Sequence, residues 1–116
     1  MAIQKFEDII AWQKAQELAA EIYKQFGNIR DFGFRDQICR ASVSISNNIA
    51  EGFDRGTNKE FIRFLYISSS SCSEVKSMLY LAVKLKLMEE KKAMILIETT
   101  IEISKIIKGL FKSMIK

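Results

Sequence analysis

Apolar residues recur at steps of three and four along four stretches of the chain, the period of helices with one buried face. From about Asp8 to Phe26, the residues Trp12, Ala15, Ala19, Ile22 and Phe26 share one side, and Asp8 stands where an N-cap belongs. Gly27 fits a helix stop, and Asn28–Gly33 reads as a short loop. From about Phe34 to Glu51, Ile38, Ala41 or Ser42, Ile45 and Ile49 make a narrower stripe, with Phe53 just beyond its end. Ser42–Ser46 alternates like a strand. Its flanks keep the helical period and a lone strand has no partner, so the spacing predicts helix throughout.

Thr57-Asn58-Lys59-Glu60 has the form of a capping box, with Thr57 accepting from the Glu60 amide and the Glu60 side chain reaching back. It opens the longest predicted helix, about Asn58 to Lys86. Phe61, Leu65, Ser68, Cys72, Val75, Leu79 and Ala82 follow one register; Phe64, Ile67, Ser71, Met78, Leu81 and Leu85 run beside it. The run Ser68–Ser71 falls inside both registers, where small side chains let a neighbouring helix approach closely.

A fourth helix is predicted from about Glu89 to Met114. Leu96, Thr99, Ile103, Ile106 and Leu110 form one seam; Met94, Ile97, Ile101, Phe111 and Ile115 form another. A surface helix normally buries one stripe, so the second seam is expected to pack against another subunit. Four helices joined by short loops predict an all-α protein. The expected fold is an antiparallel, up-down-up-down four-helix bundle in one domain, 1–116.

Composition narrows the chemistry. The 116 residues include no histidine, no proline and five glycines. A chain of this length buries roughly 65% of its unfolded surface and folds without disulfide or metal. Without histidine there is no Ser-His-Asp triad, no histidine zinc site and no Glu-x-x-His di-iron pattern. Glu51, Glu74 and Glu102 are scattered singly, so neither a catalytic residue nor a metal, cofactor or small-molecule substrate is expected. Cys39 and Cys72 sit on or beside apolar stripes and read as buried, reduced thiols. Trp12 reads as a core anchor. The first ten residues carry Glu7 and Asp8, unlike a signal peptide, and no uncharged apolar run approaches the ~18 residues of a membrane span. A cytoplasmic protein without a membrane partner is expected.

The net charge of +4 is unevenly placed. Residues 1–83 hold 10 basic and 10 acidic side chains, whereas 84–116 hold 8 lysines and 4 glutamates. Lys105, Lys108, Lys112 and Lys116 share a helical face, and Lys84, Lys91 and Lys92 form a second cluster. Such a stripe can neutralise phosphates. It is also what the helix dipole favours at a C-terminus, and both readings stay open here. The second helix has a polar side made of Gln37, Arg40, Ser44, Asn48 and Glu51, either a recognition patch or a solvated face.

Several segments together resemble a known family. They are Phe6-Glu7-Asp8-Ile9, Trp12-Gln13-Lys14-Ala15, Gln37-Ile38-Cys39-Arg40-Ala41, Ser44-Ile45, Asn48-Ile49-Ala50-Glu51-Gly52 and Lys59–Leu65, with Glu74 downstream. The chain resembles the small bacterial four-helix-bundle proteins encoded in intervening sequences of 23S ribosomal RNA genes. That family is similar to the accessory protein of diversity-generating retroelements, a basic pentameric ring that binds nucleic acid. The resemblance implies a homo-oligomer, a pentamer, and contact with RNA or a ribonucleoprotein. Two positions depart from the family pattern. Ser46 stands where proline is usual, which predicts a straighter second helix, and Cys39 replaces a residue that is often basic. The expected function is therefore non-catalytic binding of RNA phosphates through the basic fourth helix. The alternative is a scaffold that recruits a polypeptide through the polar side of the second helix.

Overall fold

The fold is given by a computed structural model that describes residues 3–115. It comprises α1 (Ile10–Phe26), α2 (Phe32–Asp54), α3 (Asn58–Lys84) and α4 (Glu90–Met114), preceded by a single 3-10 turn at Phe6–Asp8. All four helices appear within a few residues of their expected bounds, and no strand occurs among the described residues.

The helix ends show where local chemistry departs from expectation. Asp8 does not cap α1. The 3-10 turn ties up its backbone, with the Asp8 amide donating to the Lys5 carbonyl at 3.1 Å, so Ile9 takes the cap position without a side-chain bond. The α2 start lies two residues earlier than the spacing predicts, because the Asp31 carboxylate accepts from the Phe34 amide at 3.1 Å. Gly33 and Gly52 both lie inside this helix. The capping box of α3 is half formed. Thr57 Oγ1 accepts from the Glu60 amide at 3.2 Å, but Glu60 turns instead to Arg63, which donates to both its oxygens at 3.1 and 3.2 Å. A guanidinium outcompetes a neutral amide for a carboxylate.

Contacts between successive helices run in opposite chain directions. Gln16 donates to Ser46 and Phe26 packs on Phe34, pairing α1 with α2. Gln37 reaches Glu74 while Ser71 reaches Ser44, pairing α2 with α3. Tyr66 stacks near Phe111 while Cys72 meets Thr100, pairing α3 with α4. The bundle is antiparallel, as the loop lengths require, and its rod measures 45 × 21 × 19 Å. Leu18, Ile22, Ile38, Ile45, Ile49, Leu65, Leu79, Ile97, Ile103 and Ile107 are fully enclosed in one shared core. Trp12 is half-buried against that core, edge-on to Phe6 at 5.2 Å. Cys39 and Cys72 are buried and unbridged.

The serine run does what its spacing predicted. Ser68 is buried and donates to the Ile45 carbonyl of α2 at 2.8 Å, and Ser71 donates to Ser44 Oγ at the same distance. Ser46, at the position where proline is usual, lies buried within an unbroken α2 and accepts from Gln16 Nε2 at 2.9 Å.

On α4 the buried residues are Ala93, Leu96, Ile97, Thr100, Ile103 and Ile107. This corrects the two-seam expectation. Both expected seams are flanks of one broad apolar face, and Ile107, assigned to neither, lies near its middle. Ile97 is enclosed in its own bundle and is removed from any surface. Ile101 and Phe111 are half-buried against the core, which leaves Met94 and Ile115 exposed.

Candidate nucleic-acid interface

The basic residues divide by position along the rod. Lys105, Lys108 and Lys112 are exposed on α4, outside its buried face. Among the described residues none of the three has a carboxylate within ion-pair distance. The nearest acidic neighbour on the helix surface in sequence, Glu102, is held by Lys14 of α1 at 3.3 Å. Lys116 lies outside the described residues.

The second cluster is less purely basic. Lys84 ends α3, and Lys91 and Lys92 open α4, all exposed. Lys86 and Lys92 share the surface at this turn with Glu89 and Glu90. Lys92 and Lys105 are about 20 Å apart along the helix by its rise per residue, so the two clusters form separate surfaces.

Packing adds a lysine that one helix's sequence could not supply. A groove of about 300 Å³ between α3 and α4 is lined by Ser69, Cys72, Ser73, Lys76, Ile101, Ser104, Lys105 and Lys108. Three lysines and three serines therefore border one depression, and no acidic residue lines it. Its floor includes the buried Cys72 thiol, which donates to the Thr100 carbonyl at 3.2 Å and accepts from Ser104 Oγ at 3.6 Å. Burial pushes this thiol above its ordinary range; the Ser104 bond and the Lys76 charge oppose that only in part. The floor is a neutral thiol, not a thiolate competing with an incoming anion. Lys76 escaped the sequence reading because nothing in its own helix marks which neighbour it faces.

The polar side of α2 is partly brought together. Asn48 Nδ2 donates to the Ser44 carbonyl at 2.8 Å and to Ser44 Oγ at 2.9 Å. Ser71 donates to the same oxygen, and Gln37 Nε2 donates to Glu74 Oε2 at 3.1 Å. Gln37, Arg40, Ser44, Ser71 and Glu74 line a shallow groove of about 200 Å³, so α3 contributes two residues that α2's own pattern could not reveal. Arg40 borders it without an ion pair among the described residues.

Glu51 belongs elsewhere. It binds Arg55 at 2.9 Å, Arg55 reaches Glu60 at 3.6 Å, and Glu60 holds Arg63. Both guanidiniums lie over the Phe64 ring, at 4.9 and 4.5 Å from its centroid. The hydrogen bond from Arg63 holds the Glu60 carboxyl below its usual range. This chain of charges closes the α2–α3 corner, and Glu51 is part of that corner, set apart from the polar groove.

A family model, the 23S rRNA-intervening sequence protein, matches residues 7–109. The chain belongs to this family. A search of curated proteins returns no match. Among solved structures, the chain is similar to a protein of unknown function from the S23 ribosomal protein family of Bacteroides thetaiotaomicron, with a TM-score of 0.82. The two are 24% identical, and the match covers 89% of this chain and 99% of the other. At that identity the likeness speaks for the fold alone. The matched span of the 23S rRNA-intervening sequence protein family contains Lys105 and Lys108 but stops short of Lys112.

No helix among the described residues is long and apolar enough to cross a membrane. Nor do three His, Cys, Asp or Glu side chains gather anywhere among them in a way that could hold a metal ion.

Proposed function

We propose that this member of the 23S rRNA-intervening sequence protein family is a non-catalytic, cytoplasmic RNA-associated protein that contacts phosphates through the outer face of α4. It acts as a homo-oligomer, a pentamer, so that each basic face is repeated around the assembly. The observation that supports this reading is a stretch of lysines on one side of α4 with no carboxylate at ion-pair distance among the described residues. Surface lysines kept only for solubility are commonly interleaved with acids, as they are at the α3–α4 turn. Unpaired ones keep their full charge for a polyanion.

Each phosphate contact releases condensed counterions, so affinity falls as salt rises. Binding of a structured RNA probe is expected to weaken steeply between low and moderate salt. The double variant Lys108→Glu, Lys112→Glu is expected to lower affinity at every salt concentration and to flatten the log–log salt slope by about 2. Absence of binding by the unaltered protein at low salt would end the reading.

A second reading is supported by the α2–α3 groove. Gln37 is paired with Glu74 and Ser44 with Ser71, which leaves Arg40 available, and a largely preorganised polar groove suits recognition of a polypeptide. In that case a protein partner survives nuclease treatment, and Arg40→Ala releases it while the lysine variants do not.

A further inference from the structure

We infer that the groove between α3 and α4 is a seat for a single phosphate group, built by Lys76, Lys105 and Lys108 together with the hydroxyls of Ser69, Ser73 and Ser104. The inference rests on the reading of α4 as a phosphate-contacting face, and it adds a defined site where that reading needs only a charged surface.

Three features distinguish the groove from the rest of the basic face. First, its lysines come from two helices. Lys76 stands on α3 one turn beyond Ser73, and Lys105 and Lys108 stand on α4 beside Ser104, so the charges converge from both walls. Second, the lining holds no carboxylate; the adjacent acid, Glu102, is committed to Lys14 on the far side of α4. Like charges gathered around a partly apolar floor, here Ile101 and Cys72, repel one another, and an anion relieves that repulsion. Third, the neutral donors suit a tetrahedral oxyanion. Ser69 and Ser73 make no side-chain hydrogen bond among the described residues, and Ser104 is engaged only with sulfur at 3.6 Å, a weak bond to give up. Charge-assisted bonds from ammonium groups to phosphate oxygens are shorter and about twice as strong as neutral ones. The depression of about 300 Å³ has room for a phosphate group with its water.

The other depressions fit this chemistry less well. The one between α1 and α2 contains Arg35 and Arg40, but Arg35 is neutralised by Asp36 at 2.9 Å. The one between α1 and α4 is lined by three glutamates.

The test titrates the isotopically labelled protein with inorganic phosphate at constant ionic strength held by chloride. Amides of Ser69, Ser73 and Ser104 are expected to shift and saturate, with Lys76→Ala weakening the affinity about tenfold. Lys24→Ala, at an exposed lysine of α1 outside the groove, is expected to leave it unchanged. A structured RNA is then added to the phosphate-loaded protein. Displacement of phosphate makes the occupant a backbone phosphodiester; retention makes it a free phosphate or phosphomonoester, and the RNA reading then stands or falls by its own salt titration. Phosphate shifts no larger than those of chloride, or shifts unaltered by Lys76→Ala, overturn the seat even if RNA binds elsewhere on α4.

Discussion

Lys86 carries a backbone conformation that its side chain opposes. Its φ is +60°, in the left-handed region, where it stands just past the end of α3. The Leu87 amide donates to the Ala82 carbonyl at 2.9 Å and the Lys86 amide to the Val83 carbonyl at 3.1 Å, the paired bonds of a helix terminus that ordinarily ends on glycine. Half-buried Leu87 packs against the core and holds the turn closed. A residue with a Cβ loses roughly 1 kcal/mol or more there. Lys86→Gly is therefore expected to stabilise the protein by about 0.5–1 kcal/mol, after allowance for glycine's greater freedom when unfolded. Thermal unfolding checks this, with a rise of roughly 2–6 °C for a domain of this size. No glycine marked this stop in the sequence, which is why the predicted helix ran on to Lys86.

At the scale of the helices, the α2–α3 contact is set by what is missing from side chains. A Cβ placed on Gly52 would lie 2.5 Å from Phe64 Cβ and 3.3 Å from the rings of Phe61 and Phe64. The obstructing Cβ is fixed to the α3 backbone and cannot rotate away, so the helices would have to separate. Overpacking of this kind costs about 1–3 kcal/mol, more than the ~0.5–1 kcal/mol that alanine gains over glycine within a helix. Gly52→Ala is expected to lower the urea midpoint with little change in slope. Ser68 and Ser71 extend the same close approach further along, each with its hydroxyl bonded to α2. In the sequence Gly52 stands just past the expected end of the second helix at Glu51. Its role is visible only once Phe61 and Phe64 face it from the next helix.

For the whole molecule, correcting α4 to a single broad buried face changes where an assembly can form. Ile97 is enclosed and Ile101 is half-covered, whereas Met94 and its neighbour Ile95 are exposed at 41% and 61%. Met94 lies on the same outer side as Lys105 and Lys112, three and five turns further along. Subunit contact through α4 is therefore expected in its N-terminal half, which leaves the lysines beyond it open to RNA. Met94→Asp should produce smaller particles by sedimentation velocity with unchanged helical circular dichroism. It should also preserve the weak RNA binding of a single subunit. Unchanged particle size would move the contact off α4, and loss of helix would show that Met94 supports the bundle itself.

Four helices, their order and their approximate ends were legible in the chain, because apolar period and loop length are local properties that antiparallel packing must obey. The serine run and the charge segregation were legible for the same reason. Four things waited for the tertiary structure: Lys76 beside Lys105 and Lys108, Ser71 and Glu74 completing the α2 groove, Glu51 leaving it for Arg55, and Ile97 turning inward. Each depends on how far a helix is rotated about its own axis. A period of 3.6 residues marks two flanks of an apolar face almost as well as its centre, and only the neighbouring helices choose among them. The sequence determined that there would be a bundle with a basic last helix; packing decided which of its polar groups share a surface.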